Sequence, residues 1–284
     1  MIIPVTEKNK FGCTELFWAI RSGQEEQALI LLSQGSHPLE QNLDGTIAIS
    51  GLLEKKNETI FTACLDAISS WAGSEKFSLP REKQGQTFIH KLVEAKELEW
   101  INRFCPLVSS EVWSIQDDEA RTPLMLAAEI GDTDIFFEIL SYDRDQLVHI
   151  SSRGFHPIHK LTEYNHHEII LRLRPHLTKE LLSLGDSDGN NCLHLAVESD
   201  AVECLIPFLQ IGVDQRLRNF RSESPLAIAD REKFHHCTKI LLEDLQNKIR
   251  NSAEGSSDHE SWVQFARLEP SISSEKLKML GISL

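Results

Sequence analysis

One feature constrains the fold of this 284-residue chain more than any other: a short helical signature returns at a nearly fixed interval. It is clearest between Ala120 and Leu140. Thr122 is a good N-cap, because its hydroxyl can accept from amides that a first turn leaves unpaired. Pro123 follows at the first helical position, where its missing N–H is harmless. The run Leu124, Met125, Leu126, Ala127, Ala128 is apolar all round, so this helix is packed on most sides. Gly131 ends it in the left-handed conformation that a side chain resists. Ile135, Phe136, Ile139 and Leu140 then share one face of a second helix by their three-and-four spacing. Residues equivalent to Thr122 stand at Thr14, Thr46, Thr87, His156, Asn191 and Ser224, and the successive intervals along the chain are 32, 41, 35, 34, 35 and 33 residues. A helical pair this small cannot bury its own apolar faces. The recurrence predicts an array in which each pair is covered by its neighbours.

The matches can be read residue by residue. Thr122-Pro123-Leu124-Met125-Leu126-Ala127 is echoed by Asn191-Cys192-Leu193-His194-Leu195-Ala196, Ser224-Pro225-Leu226-Ala227-Ile228-Ala229 and His156-Pro157-Ile158-His159-Lys160-Leu161. Thr14-Glu15-Leu16-Phe17-Trp18-Ala19 and Thr87-Phe88-Ile89-His90-Lys91-Leu92 are weaker, and Thr46-Ile47-Ala48-Ile49-Ser50-Gly51 is the weakest. A Thr-Pro-Leu-His-x-Ala pattern at this period is similar to the ankyrin repeat, and the resemblance covers roughly residues 8 to 245. It implies an all-α ankyrin-repeat solenoid of about seven helix-turn-helix units, starting near residues 9, 42, 82, 117, 151, 186 and 219. Residues 1–8 then form a lead-in, 9–248 the repeat array, and 249–284 a linker and C-terminal helical cap.

Several departures carry expectations of their own. His156 is a poorer cap than Asn191 or Ser224, so its helix should start less sharply. Pro207, inside the outer helix of the sixth repeat, is expected to bend or break it. The 41-residue interval after Thr46 implies an insertion between Ser69 and Pro80, with residues 71–76 as a loop. The bulky Phe17 and Trp18 suit the open end of a stack. The polar stretch from Gln246 to Asp258 reads as a linker. Beyond it, Trp262, Phe265, Ala266 and Leu268 are expected on one helical face. A last helix from Ser273 or Ser274 should carry Leu277, Met279 and Leu280.

The 43 acidic and 29 basic residues leave a net charge of −14, which argues against general affinity for nucleic acid or an anionic membrane. No apolar run approaches the 18 residues of a membrane span. Six cysteines without close pairing read as reduced thiols of a cytoplasmic protein. Half of the twelve histidines, His149, His156, His159, His166, His167 and His176, crowd into one stretch. No carboxylate or cysteine completes a ligand spacing around them. His156 and His159 take motif positions where, by the resemblance, such residues tie neighbouring loops by hydrogen bonds. Glycine-rich phosphate loops, a Gly-x-Ser-x-Gly elbow and His-Glu-x-x-His are absent from the sequence. Cys192 with His194, and His235-His236-Cys237, bring thiol and imidazole close, but on core-facing positions. No catalytic residue, metal or cofactor is expected.

The resemblance therefore implies a non-enzymatic protein–protein interaction scaffold, monomeric on its own, that holds another protein on its concave face and on a row of β-hairpin-like fingers. Its contact positions map to Asp118, Glu119, Arg121, Glu129 and Ile130 in the fourth repeat. In the fifth they are Ser152, Arg153, Phe155 and Glu163, and in the sixth Ser187, Asp188, Asn190, Glu198 and Ser199. Phe220, Arg221 and Glu223 extend the row. Ile130 and Phe155 are the apolar anchors, since an exposed apolar residue needs a reason. The link Gln116–Arg121 makes one finger acidic, and Arg216–Arg221 makes another basic. The alternative is a host-targeted effector of the kind that intracellular bacteria deliver into host cytosol, which these divergent repeats also resemble in style. It would carry a thiol and imidazole enzymatic site on the groove.

Overall fold

The computed structural model describes residues 8, 9, 12–72 and 78–282, which fall into two compact bodies divided after Ser151. The first body holds α1 (Glu15–Ser22) and α2 (Glu25–Ser33), then a turn at Ile49–Gly51 running into α3 (Leu52–Lys55), and α4 (Glu58–Ala72). It continues with α5 (Phe88–Glu94), α6 (Leu98–Phe104), α7 (Pro123–Ile130) and α8 (Thr133–Tyr142). The second body holds α9 (Pro157–Glu163), α10 (His167–Leu173), the one-turn α11 (Lys179–Leu182), α12 (Cys192–Glu198) and α13 (Val202–Ile211). After these come α14 (Pro225–Arg231), α15 (His235–Asn251), α16 (Ser257–Leu268) and α17 (Ser274–Met279). Seven helical pairs can be counted among the described residues, one following each motif residue, so the fold is an all-α ankyrin-repeat solenoid.

Local chemistry sets the helix starts and stops. The hydroxyls of Thr14, Thr122 and Ser224 accept from the amides of Phe17 (3.2 Å), Met125 (3.3 Å) and Ala227 (3.1 Å), and Asn191 caps with its side-chain oxygen. Gly23 and Gly131 stop α1 and α7 at φ of 78° and 72°. His156 provides no side-chain cap bond, as its poor capping chemistry predicts. Replacing Thr122 by alanine should therefore cost about 1 kcal/mol and lower the melting temperature by about 2–4 °C. An unchanged melting curve would remove Thr122 from the cap role.

The second repeat, weakest in sequence, has the least inner helix: α3 ends after four residues at Lys56, which is left-handed at φ 47°. The insertion loop begins later than expected. Trp71 and Ala72 still belong to α4, and the Trp71 ring stands edge-on to His37 at 4.4 Å; residues 73–77 lie outside the described residues. Of the lead-in, only Lys8 is described, bridged to Thr14. Pro207 does not break its helix. α13 continues through it to Ile211 and stops at Gly212, because Pro207 is a buried packing residue. The carbonyl it leaves unpaired belongs to Glu203, an exposed residue near the helix start.

The C-terminal segment is more helical than its composition suggests. α15 runs to Asn251 instead of ending near 248, because Leu245 and Ile249 are buried and α16 packs on it; the linker shrinks to residues 252–256. Trp262, Phe265 and Ala266 are buried, with the Arg216 guanidinium 3.8 Å and the Lys248 ammonium 5.0 Å from the Trp262 ring. Leu268 does not join them and is 66% exposed. Six residues on from Trp262, it has turned about 240° around the helix, whereas Glu269, seven on, returns to the buried side. Met279 likewise faces out at 76% exposure, leaving Leu277 and Leu280 to pack. The buried Glu269 carboxylate accepts from Arg218 Nη2 (2.9 Å) and Ser224 Oγ (3.0 Å). Earlier helix starts are held by the following finger through backbone amides: the Thr14 amide donates to Asn42 Oδ1 (2.8 Å), and the Ile47 amide to Glu82 Oε2 (3.1 Å).

Candidate functional site

The fingers are small, tightly tied turns. Five residues ahead of the motif residue, a buried polar side chain folds three of them: Asp117 Oδ1 accepts from the amides of Glu119 (3.0 Å) and Arg121 (2.9 Å). Asp186 Oδ1 accepts from Asp188 (2.9 Å) and Asn190 (2.8 Å), and Asn219 Oδ1 from Arg221 and Glu223 (both 3.0 Å). Two residues before the motif the backbone turns left-handed, at Ala120, Gly189 and Ser222. Backbone bonds stitch finger to finger within each body, from the Asp118 amide to the Gln84 carbonyl (2.8 Å) and from the Phe220 amide to the Asp188 carbonyl (2.9 Å). A Cβ at Gly189 would come within 2.8 Å of the Phe220 ring, so this approach depends on glycine. These tying residues were not identified from sequence, although their constant offset from the motif residue carried the signal. Glu82 shares that offset from Thr87.

In the first body, Asp118 and Glu119 are exposed. Arg121 is not an open contact residue: its guanidinium lies 2.7 Å from Asp117, 3.1 Å from Glu129, 3.2 Å from Glu119 and 3.9 Å from Glu94. One cation among four carboxylates leaves this finger acidic. Ile130, expected as an exposed anchor, is half-buried at the end of α7.

In the second body, Ser152, Arg153, Glu163, Ser187, Asp188, Glu198 and Ser199 are exposed. Two positions differ from expectation. Asn190 is buried, because its Oδ1 accepts from Asn219 Nδ2 (2.9 Å) in the next finger. Phe155 is half-buried, with the Lys160 ammonium 4.5 Å above its ring and His159 edge-on at 6.1 Å. The apolar residue that does project is Phe220, 79% exposed at a finger tip and followed by the exposed Arg221. Glu223 is half-buried and pairs with Arg231 at 2.7 Å. The basic finger is less basic than its sequence, since Arg216 is held by Asp214 (2.8 Å) and Arg218 by Glu269. Leu43, 78% exposed on the finger before the second repeat, is a projecting apolar residue absent from the sequence-based set.

The motif histidines are ties. His90 Nδ1 accepts from the Thr87 amide (3.1 Å) and its Nε2 lies 3.0 Å from the Arg121 carbonyl; His194 Nε2 lies 3.2 Å from the Glu223 carbonyl. Burial lowers both pKa values to about 4, so these rings are neutral at pH 7. His159 Nε2 reaches the Leu184 carbonyl at 3.0 Å and is lowered in the same way to about 4. His166 occupies the N-cap position of α10 without a side-chain cap bond, and His167 opens the helix. Although no cysteine completes a ligand spacing along the chain, packing of α12 on α9 brings Cys192 beside His156 and His159, all three buried. Helix stacking joins residues that sequence spacing keeps apart. Cys192, Cys204 and Cys237 are buried and desolvation pushes their thiols up, Cys204 and Cys237 to about 12, which is unlike an activated nucleophile. Among the described residues no helix is long and apolar enough to cross a membrane.

Comparison with known proteins agrees with this geometry. The family model described as ankyrin repeats (3 copies) matches residues 124–219. SH3 and multiple ankyrin repeat domains protein 2 of Homo sapiens is 25% identical over 149 residues, covering 52% of this chain and 8% of that protein. The nuclear factor NF-kappa-B p110 subunit of Drosophila melanogaster is 26% identical over 196 residues, 60% of this chain and 20% of that protein. The chain thus spans a fifth or less of these relatives. The crystal structure of the ankyrin repeat domain of Bcl-3, a member of the IkappaB protein family, superposes with a TM-score of 0.66 at 17% identity. That match covers 82% of this chain and 99% of the other, and it bears on fold alone. With the motif in phase, the helical pairs following it and the family model on residues 124–219, the chain carries ankyrin repeats and has the fold of an ankyrin-repeat domain.

Proposed function

We propose that the chain is a protein-binding scaffold, and that its partner docks along the fingers and the neighbouring ends of the inner helices. The observation that carries this reading is Phe220. It is a large apolar side chain at the tip of a finger whose backbone is fixed by Asn219 and by the bond to Asp188. An aromatic held rigidly in solvent loses little entropy when covered, which is the behaviour of an anchor. Arg221 and Asp188 flank it in the second body, where Ser152, Arg153 and Ser187 are further exposed polar positions on earlier fingers, while Asp118 and Glu119 offer an acidic contact in the first. The rival reading, a thiol and imidazole enzyme, is disfavoured because its thiols are buried.

Affinity capture followed by titration of the captured protein tests this. Phe220→Ala should weaken binding about tenfold or more, with the melting temperature within about 1 °C of wild type. The double substitution Asp118→Lys/Glu119→Lys should slow association and lessen its salt dependence if the partner is basic at that contact. Equal affinity of all three proteins for the captured partner would dismiss the finger row as the docking surface.

A further inference from the structure

The junction of the fifth and sixth repeats places two imidazoles and a thiol together and leaves one of them, the His156 ring, without a hydrogen-bond partner. His156 stands where the other repeats have Thr, Asn or Ser, and Cys192 where three of them have the proline of the first turn. One ligand atom from each of His156, His159 and Cys192 lies within 4.8 Å of the others, and all three side chains are wholly buried. The contrast with the neighbouring motifs is informative. Thr87 Oγ1 sits 2.9 Å from His90 Nδ1, and Asn191 Oδ1 sits 2.7 Å from His194 Nδ1, so in those repeats the cap oxygen satisfies the motif histidine. In the fifth repeat a second ring takes that place, its centroid 3.6 Å from that of His159. His156 and His159 are arranged as a capping box, yet neither ring nitrogen of His156 has a hydrogen-bond partner. The contact on His159 Nδ1, from the His156 amide, is long at 3.4 Å. His159 is meanwhile oriented through Nε2 by the Leu184 carbonyl, the kind of outer hydrogen bond that fixes a ligating imidazole.

We propose that His156, His159 and Cys192 form a closed, three-coordinate site for a soft monovalent cation, Cu(I). The donor set of two imidazoles and a thiol selects copper or zinc over hard cations. Charge and coordination number then decide between these two. Cu(I) with one thiolate is neutral and suits a pocket with no exposure, whereas Zn(II) would leave a net positive charge buried and lacks the fourth ligand of a structural zinc site. Asp186 is near enough to act on His159, but its Oδ1 is engaged by the amides of Asp188 and Asn190. Binding replaces the thiol proton: Cys–SH and Cu(I) give Cys–S–Cu(I), the proton passes to solvent, and no oxidation state changes. Binding would draw the three donors inward from their present separations of up to 4.8 Å.

The test uses the full chain, reduced and anaerobic, titrated with Cu(I) against a chromophoric Cu(I) chelator. His156→Thr is the decisive variant, because it restores the hydroxyl cap of the other repeats and keeps all six cysteines. Wild type should take up one equivalent of Cu(I) that His156→Thr does not, with a thiolate-to-copper absorption and a raised melting temperature. Cys192→Ala should weaken uptake at least a hundredfold, while His156→Thr should melt higher than wild type without metal. The same copper stoichiometry and affinity in wild type and His156→Thr would overturn the site. Zn(II) binding as tightly as Cu(I) in parallel competition would overturn the monovalent assignment.

Discussion

Trp100→Ala is expected to remove about 3–5 kcal/mol from the stability of the first body, the range for deleting a large aromatic from a packed interior. Trp100 is essentially unexposed, and its ring lies flat on Phe61 with centroids 4.0 Å apart and planes within 8°. Its indole N–H donates to Glu58, which also receives Arg103 Nη1 at 3.1 Å. Phe61 and Glu58 belong to α4 in the second repeat and Trp100 to α6 in the third. The loss therefore falls on the contact that secures the most irregular repeat to a regular one. Stability is close to a sum of repeat and interface terms in such arrays. Denaturant titration should accordingly show an early transition in which the first two repeats open while α5 to α8 persist, read by hydrogen exchange. Trp100→Phe keeps most of the volume and loses the bond to Glu58, and should cost about 1 kcal/mol. If Trp100→Ala melts as wild type does, the stacked pair is not a structural clamp.

The second expectation concerns acid. His90 is wholly buried and its pKa is lowered from 6.5 to about 4, chiefly by desolvation. Its neutral form belongs to the folded chain, and the unfolded chain takes up the proton first. The stabilisation is therefore intact above pH 6.5, declines as pH falls, and is lost by about pH 4, with about 2 kcal/mol gone at pH 5. Hydrogen exchange in α5 and α7 should accelerate across that interval, and the neutral substitute His90→Gln should flatten the change. The same slope in His90→Gln would assign the acid sensitivity to other groups. Reading exchange only in the first body keeps the histidines of residues 152–284 out of the measurement.

What could be read in advance was what local chemistry determines. Thr122, Pro123 and Gly131 specify α7 from within it, and Gly23 does the same for α1. Long-range packing hid the remainder. Nothing near Gln246 says that α15 will continue to Asn251; that follows from Leu245 and Ile249 finding cover under α16. Asn190 looked like a surface residue because its partner, Asn219, is a whole repeat away. The same distance concealed Cys192 from His156, and left Arg121 looking like an available cation when four carboxylates surround it. For the candidate surface, spacing located the fingers, but whether a side chain points outward or ties a neighbour depends on the next copy.

Glu269 has a consequence for the length of the array. It accepts from Ser224, through the hydroxyl, where Asn42 accepts from the Thr14 amide, so a residue from outside the repeats impersonates the first contact of an eighth copy. The last inner helix meets a counterfeit neighbour, and the edge on which a further copy would grow is already taken. Any protein seeking to stack end-on there must first evict a carboxylate that Arg218 is holding in place.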